Sequence, residues 1–435
     1  MSIYIPVKTK FAIVFALALI WMAVSLWLSI PWFRDLSDKI GWLLAGFLIA
    51  FIAIIPGFMN AFLLSSILFD RRPRAASISQ YPPVTVLVPA FNEAAAIADT
   101  MTSIFKQDYP GMLKVLVVND GSRDATAERI RELQARGMEI ELINILDNGG
   151  KSAALNRGLS ACTTEILITI DADSYLKIDA IRNIVERYLS DPPNTRAVAG
   201  EILIRNSRTN WITRAQEWDY FLGIAAIKRA QSLFQGTLVA QGAFSLYDRA
   251  TVANLGGWPD ALGEDIVLSW KILRAGFRIG HAENACAFTN CPDTLKKFVY
   301  QRRRWSRGMI EAFKANPGIL RQPRLSTMYV WWNSMFPMID LSYSVGFIPG
   351  LALACFGKFW IVGPMTLALL PVSVLLNRVM FNANVKMFRD EGLQVRTNRG
   401  GLFFYMLAYG LILQPACVWG YASEIFGHRK TWGTK

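Results

Sequence analysis

Residues 165–173 read Glu-Ile-Leu-Ile-Thr-Ile-Asp-Ala-Asp, a short apolar run that ends abruptly in two carboxylates. A continuous run rich in branched side chains is typical of a strand that is covered on both faces, as in a parallel sheet. Carboxylates at the end of such a strand can converge on one divalent cation and a phosphorylated ligand. A solvated loop that caps the next helix explains the same residues equally well, and both interpretations stand at this point.

Similar runs precede this one, and helical patterns separate them. The predicted strands are 84–88, 114–118, 139–145 and 165–170, and the predicted helices are 94–105, 125–135, 151–161 and 179–189. Strands that alternate with helices predict parallel β-α-β units with right-handed crossovers. Such sheets bind ligands at the carboxyl ends of their strands, so the polar residues directly after these strands are the first candidates for a site.

Apolar residues are concentrated on both sides of this central region. Residues 11–30 and 41–69 are each long enough to cross a hydrocarbon core of about 30 Å. We therefore expect an N-terminal membrane region with two helices (1–72), a central α/β domain (73–318) and a C-terminal region of interfacial and membrane helices (319–435).

Basic residues flank the first two apolar stretches, at Lys8, Lys10 and 71–74. The positive-inside rule then predicts an integral protein of the cell (inner) membrane whose central domain lies in the cytosol. The basic tail at 428–430 conflicts with a count of three C-terminal spans, which leaves open that one C-terminal stretch lies along the membrane.

Composition excludes several classes of protein. The formal charge of +13 includes a cluster of arginines at 302, 303, 304 and 307, but no recognisable nucleic-acid module accompanies it, so we expect no nucleic-acid partner. The five cysteines lack CxxC spacing, and neither histidine has a neighbour suited to a metal pair or a catalytic triad. Catalysis should therefore rest on carboxylates.

Further polar candidates follow the other predicted strands. Ala90, Asn92 and Glu93 come after the first strand, and Asp120 comes after the second within Asn-Asp-Gly-Ser. These side chains can accept hydrogen bonds from a base or a ribose, but a turn with a helix cap is the alternative for the second group. Lys151 begins a helix after two glycines, a position that suits either a phosphate or structural capping.

Two later motifs add acids, arginines and an aromatic ring. Glu264 or Asp265 can take a proton from an attacking hydroxyl. Residues 301–305, Gln-Arg-Arg-Arg-Trp, offer planar donors to a diphosphate and a flat face to a sugar ring. A lipid contact next to the membrane is the alternative for this basic run.

Taken in order, these motifs resemble the D, DxD, [TG]ED, QxxRW pattern of processive family-2 glycosyltransferases, which include poly-N-acetylglucosamine, hyaluronan, chitin and cellulose synthases. The resemblance covers about residues 84–305, and chain length and the two leading spans are most similar to poly-N-acetylglucosamine synthases. It implies a GT-A-like α/β domain with a Rossmann-like, mostly parallel sheet between transmembrane helices. Gly263 stands where many members have threonine, and Asp248 and Arg249 depart from the usual pair of arginines.

The resemblance also implies roles for individual residues. Asp120 would contact the uridine, Asp171 the nucleotide and Asp173 a Mg²⁺ or Mn²⁺ ion, while Asp265 would be the catalytic base. The implied substrate-binding residues are Ala90, Asn92, Glu93, Asp120, Lys151, Asp171, Gly242, Phe244, Glu264, Gln301, Arg304 and Trp305.

The implied reaction is inverting transfer from a UDP-sugar, such as UDP-N-acetylglucosamine, to a growing β-linked polysaccharide at the bilayer, with the spans as a path for an exopolysaccharide. An accessory subunit is left open as a partner. Two alternatives remain: transfer of a single sugar to a lipid-linked acceptor, and a catalytically silent membrane subunit that only binds. The intact set of acids argues against the second.

Overall fold

The computed structural model describes residues 5–70, 75–76, 78–390, 392–394 and 397–428. Its strands are β1 (Val84–Ala90), β2 (Leu113–Asp120), β3 (Ile140–Ile145), β4 (Ile166–Ile170), β5 (Tyr175–Leu176), β6 (Thr195–Ile204), β7 (Phe244–Asp248) and β8 (Arg278–Thr289). The first nine helices are α1 (Val7–Leu28), α2 (Ile30–Ile40), α3 (Trp42–Ile49), α4 (Ile55–Phe69), α5 (Ile97–Phe105), α6 (Thr126–Ala135), α7 (Lys151–Ala161), α8 (Ala180–Ser190) and α9 (Trp211–Trp218). The others are α10 (Ala226–Leu233), α11 (Arg249–Asn254), α12 (Glu264–Arg274), α13 (Leu295–Ala315), α14 (Thr327–Ser342), α15 (Ile348–Cys355), α16 (Pro364–Asp390), α17 (Arg399–Leu407) and α18 (Tyr409–Ile425). Short π-helical segments cover Ala50–Ile54, Asp219–Ala225 and Tyr343–Phe347, and a 3-10 turn covers Ile319–Arg321.

In the described part of the chain, eight strands form one mixed sheet in the order β3-β2-β1-β4-β7-β6-β8-β5. The first four strands in this order are parallel, as the β-α-β pattern predicts. Beyond β4 the sheet is mixed, because β7 is antiparallel to both of its neighbours while β6 and β8 are parallel to each other. The carboxyl ends of β1, β2 and β4 therefore lie at one edge, where the polar motifs follow them.

The four predicted strands and four predicted helices of the first half are all present, with ends that differ from the predictions by at most three residues. The same apolar runs form the core, since Leu87, Val117 and Ile168 are completely buried. Burial of side chains of this size stabilises the fold by about 1.5–3 kcal/mol each. The sequence pattern thus fixes the part of the sheet that carries the candidate site.

One face of the sheet domain packs directly against the apolar N-terminal helices. Phe234, at the end of α10, contacts Phe11 of α1 and Phe62 of α4, with ring centroids 5.2 and 5.7 Å apart. Phe62 also meets Trp332 of α14 edge-on at 5.6 Å. Aromatic pairs in this geometry add about 0.5–1.5 kcal/mol beyond area burial, so the helices and the domain share one packed core.

Within the described residues, three helices are long and apolar enough to cross a membrane: Val7–Leu28, Trp42–Phe69 and Thr327–Cys355. The pair α17 and α18 is a fourth when counted as one span bent by 51°. The second of these helices contains the π-helical segment Ala50–Ile54, directly before Pro56 in α4. These lengths suit a membrane protein. The basic residues 71–74 and 429–430 lie outside the described residues, and the domain boundaries at 72 and 318 stay predictions.

Candidate active site

Lys151 lies at the centre of a cluster of acids. It begins α7 after Gly150, whose φ of +87° suits glycine, and this start points the side chain toward the end of β4. Its Nζ is 2.5 Å from Oδ1 of Asp171 and 3.4 Å from Oε1 of Glu264. Residues predicted to bind substrate from three separate segments therefore meet at one ammonium group.

Gly242 and Asp265 border the same cluster. The Gly242 N–H donates to Oδ2 of Asp265 over 3.3 Å. A Cβ added at Gly242 would lie 2.6 Å from Nζ of Lys151 and 3.5 Å from Oε1 of Glu264, so only glycine leaves room for the lysine in this position. The candidate base and the candidate donor-binding residues are therefore neighbours.

Burial and charge act in opposite directions on this cluster. Burial raises the pKa of Glu264 to about 7, although the nearby Lys151 favours its charged form. Burial opposes the charge on Lys151, but the carboxylates of Asp171 and Glu264 outweigh it and raise the pKa of the ammonium. Lys151 is therefore charged and balanced mainly by Asp171, its nearer partner, while Glu264 is partly protonated at neutral pH.

Asp120 organises the loop that leads to Lys151. Its carboxylate accepts hydrogen bonds from the N–H groups of Gly149 and Gly150, at 2.9 and 2.8 Å, and from the amide of Asn148 at 2.9 Å. The residue is 2% exposed. Asp120 thus holds the loop that precedes Lys151. The contact of Asp120 with uridine stays a prediction.

The loop after β1 is joined to the loop after β2. The Asn92 N–H donates to Oγ of Ser122 at 2.9 Å, while Oδ1 of Asn92 accepts from the Arg123 N–H at 2.8 Å. The Glu93 N–H donates to the Thr126 hydroxyl at 2.8 Å. Ala90 is buried at the end of β1. These residues lie at the edge of the sheet beside Asp120, and none of these contacts reaches the Lys151 cluster.

Close packing at Gly263 accounts for the glycine at this motif position. A Cβ there would lie 2.7 Å from the Cα of Gly308 on α13, so a larger residue would separate α12 from α13. The Gly263 N–H donates to the Glu311 carboxylate at 3.2 Å. The start of α12, which carries Glu264 and Asp265, is therefore fixed by α13.

The arginines of α13 point in different directions. Arg302 forms an ion pair with Asp219 at 2.9 Å, Arg303 lies over the ring of Trp419 at 4.4 Å, and Arg307 pairs with Glu424 at 3.2 Å. Arg304 is the one whose charge acts on Glu264. The sequence treats the run as one basic patch, whereas in the structure Arg304 is the member whose charge reaches Glu264.

The remaining predicted residues surround this region. Trp305 is 38% exposed, and its ring lies 6.3 Å from that of Tyr220. Gln301 is 9% exposed, and its Oε1 has no hydrogen-bond partner among the described residues. Buried polar atoms are usually paired, so this oxygen is available to a ligand. Phe244 is fully buried next to the end of β4, where the Asp171 N–H donates to the Ala243 carbonyl at 3.3 Å.

The acids at the end of β4 fit a divalent cation that shares its coordination shell with a substrate. Asp173 is partly exposed, and Asp171 is already held by Lys151. Among the described residues no group of three or more His, Cys, Asp or Glu forms a complete metal site. Mg²⁺ is commonly bound by one or two carboxylates together with phosphate oxygens and water, which is the donor set that Asp173 and a diphosphate would supply.

Sequence reasoning missed two buried groups next to the site. Nε2 of His281 is 3.0 Å from the Glu201 carboxylate. The ammonium of Lys228 interacts electrostatically with the carboxylates of Glu201 and Asp265. Burial lowers the pKa of Lys228 to about 8. Asp219 was also missed. These residues lie in strands and helices without a recognisable motif, and an isolated polar residue in an apolar segment was the only signal.

A parallel half-sheet with acids at its strand ends, joined to a half of mixed direction, is the GT-A fold. In agreement with this, residues 85–256 match the family described as Glycosyl transferase family 2. This region of the chain is a glycosyl transferase family 2 domain.

Two curated relatives extend the comparison. An N-acetylglucosaminyltransferase of Rhizobium meliloti is 33% identical over 248 residues, which are 54% of this chain and 58% of the relative. A poly-beta-1,6-N-acetyl-D-glucosamine synthase of Staphylococcus aureus is 30% identical over 233 residues, which are 53% and 56% of the two chains. The chain thus spans just over half the length of the curated relatives it matches.

A solved structure supports the fold over almost the whole chain. The mannosyltransferase of Pyrobaculum calidifontis, determined in complex with GDP-Man and Mn²⁺, superposes with a TM-score of 0.58 at 19% identity. The alignment covers 96% of this chain and 100% of that one. At this identity the likeness concerns the fold.

Proposed function

We propose that the protein is an inverting, processive glycosyltransferase that extends a β-linked polysaccharide with sugars from UDP-N-acetylglucosamine. The observation that carries this proposal is the convergence of Lys151, Asp171, Gly242 and the Glu264-Asp265 pair in one cluster at the carboxyl end of β4. The names of the curated relatives favour N-acetylglucosamine as the sugar.

In the proposed reaction, Asp265 accepts the proton of an acceptor hydroxyl as its oxygen attacks the anomeric carbon of the donor. The bond from that carbon to the phosphate oxygen breaks, and UDP leaves with the electron pair. Lys151 and Arg304 lie where they can bind the diphosphate, and Trp305 offers a flat face to the acceptor sugar. A divalent cation at Asp173 would offset the charge of the leaving diphosphate.

The enzyme lies at a membrane, with its sheet domain on the cytosolic side. The apolar helices at both ends pack on the sheet domain, which supports an enzyme held against a bilayer, with the domain in the cytosol and the product passing between the spans. The basic residues that flank the first two apolar stretches favour this orientation.

The test uses the full chain purified in detergent with UDP-N-acetylglucosamine, and measures UDP release and product size. Asp265→Asn should lower UDP release by at least about 100-fold, the range expected for loss of a general base. Asp260→Asn, an exposed aspartate in the preceding loop, is the matched control and should keep full activity. Normal sugar incorporation by Asp265→Asn would refute the assignment of the base.

Product size separates the proposal from its alternatives. A ladder or long polymer supports processive synthesis, whereas one added sugar supports single transfer to a lipid-linked acceptor. No UDP release with any nucleotide sugar, in the presence of Mg²⁺ or Mn²⁺, would support a silent binding subunit.

A further inference from the structure

A buried aspartate outside the recognised motifs connects three distant parts of the chain. Asp219 lies where α9 passes into the π-helical segment, and its side chain is 11% exposed. Its Oδ2 lies 2.9 Å from the guanidinium of Arg302 and accepts a hydrogen bond from the Tyr409 hydroxyl at 3.0 Å. Arg302 belongs to α13, and Tyr409 is the first residue of α18, directly after the 51° bend of the C-terminal apolar pair.

Arg302 carries this connection to Trp305. Its Cζ lies 4.3 Å from the centroid of the Trp305 ring and 5.0 Å from that of Phe298. The three residues are four and three positions apart on α13, so they share one face of the helix. Phe298 in turn packs on Tyr409 with a centroid distance of 5.3 Å. The guanidinium is therefore held by Asp219 between two rings, and one of these is the exposed tryptophan of the candidate acceptor site.

A second contact brings the Asp219 segment to the same ring. Tyr220, its neighbour, lies 6.3 Å from Trp305. Space around the carboxylate is also restricted, since a Cβ at Gly223 would lie 3.0 Å from Oδ1 of Asp219 and 3.4 Å from the Tyr405 hydroxyl. The position of Trp305 thus depends on Asp219 through Arg302 and on the π-helical segment through Tyr220.

Simple docking of α13 on α18 does not require this ion pair. Farther along the same two helices, Arg307 and Lys314 both bind Glu424, at 3.2 and 2.9 Å. Neither of these contacts reaches a candidate site residue. This second set of ion pairs therefore joins the helices without any role in the site, and it serves as a matched control.

On the basis of the proposed function, we propose that Asp219 is a positioning residue for the acceptor site: it fixes Trp305 through Arg302 and ties that ring, through Tyr409, to the bend between α17 and α18. Donor binding does not involve this connection. Loss of the Asp219 carboxylate should therefore impair use of the acceptor and leave the donor site intact.

The experiment compares Asp219→Asn, Trp305→Phe and the double variant as full-length protein in detergent, with UDP-N-acetylglucosamine as substrate. Asp219→Asn should shorten the product roughly tenfold, the size of effect expected for one lost charged contact, while the KM for the donor stays within about twofold. The double variant should be no worse than Trp305→Phe alone, because Asp219 affects acceptor use only through the residue at position 305. Glu424→Gln should lower the unfolding temperature without shortening the product.

Two results would overturn the inference. One is multiplicative loss in the double variant, which would mean that Asp219 acts independently of Trp305. The other is an equal effect of Asp219→Asn and Glu424→Gln on product length, which would mean that only helix docking matters.

A double-mutant cycle of Asp219→Asn and Tyr409→Phe, measured by unfolding temperature, needs no substrate. It should be non-additive, and additivity would refute the link to α18. The Tyr409→Phe variant removes only a hydroxyl, so it reports on the link even where Asp219→Asn folds poorly. If the wild type released no UDP while this cycle remained non-additive, the proposed function would fail and the link itself would stand.

Discussion

Replacement of Gly242 by alanine tests the geometry of the candidate site with a single methyl group. The new Cβ would lie 2.6 Å from Nζ of Lys151, where ordinary contact needs about 3.4 Å. The ammonium must therefore move by about 0.8 Å. The contact of Nζ with Asp171 is already 2.5 Å and cannot become shorter, so the ammonium has to move sideways and this contact lengthens.

The magnitude follows from Coulomb's law. Lengthening the Lys151–Asp171 contact from 2.5 Å by this amount weakens it by roughly 1.5 kcal/mol at an effective dielectric constant of about 20. Both side chains are less than one-third exposed, so water screens the pair only in part. A change of this size corresponds to about a tenfold effect on an equilibrium or a rate.

We therefore expect Gly242→Ala to lower kcat/KM for UDP-N-acetylglucosamine about tenfold, measured as UDP release, with little change in the unfolding temperature. Gly318→Ala is the matched control, because no heavy atom lies within 4 Å of the Cβ it would add, and its φ of −84° suits alanine. Equal activity of Gly242→Ala and wild type would refute the view that this glycine keeps Lys151 against Asp171.

Three further predictions concern the acids of the site. Glu264→Gln tests the cost of burying this carboxyl group. Burial raises the pKa of Glu264 from 4.5 to about 7, so the folded wild type loses stability as the pH rises from about 4.5 to 7, and the variant does not. Its stability gain should grow to about 3 kcal/mol across that window in thermal unfolding at several pH values, and a gain independent of pH would contradict this. Asp173→Asn should raise the Mg²⁺ or Mn²⁺ concentration needed for half-maximal UDP release at least tenfold, and an unchanged metal titration would remove Asp173 from the metal site. Asp120→Asn leaves the N–H groups of Gly149 and Gly150 facing an amide, which should cost about 1–3 kcal/mol in denaturant unfolding, and unchanged stability would show that the carboxylate does not hold this loop.

The site-bearing part of the first half of the fold was predictable because β2 and β4 contain apolar runs that are closed by polar residues. β4 is the clearest case, since its five residues are all buried and the acids follow at once. In a parallel sheet both faces are covered, so burial leaves a continuous signal in the sequence. The edge at which the acids collect follows from the topology alone.

The second half of the sheet carries no such signal. The pairing of β6 with β8 contains register shifts. These strands bury Glu201 and His281, whose side chains form a hydrogen bond of 3.0 Å. A buried ion or hydrogen-bonded pair gives a strand a polar pattern that resembles a loop. The partners are 80 residues apart, so their compensation becomes visible only in three dimensions.

The partners of the arginines on α13 were equally invisible in the sequence. Successive residues of a helix point about 100° apart, so the four clustered arginines do not all face one ligand. Asp219 takes Arg302 and Glu424 takes Arg307, while Arg303 covers Trp419. Both interpretations of the run, lipid contact and diphosphate binding, stay predictions.

The charges around Lys151 determine how the site can accept a donor. The charge of Lys151 is already balanced mainly by Asp171, and Asp265 and the partly charged Glu264 add further negative charge beside it. A diphosphate alone would meet net repulsion, which Arg304 offsets by only one unit. The acids at the end of β4 would hold a divalent cation that binds with the donor, and its charge would offset most of this repulsion. The electrostatics of the chain itself thus favour metal-dependent donor binding, and the metal titration of Asp173→Asn is the measurement that decides it.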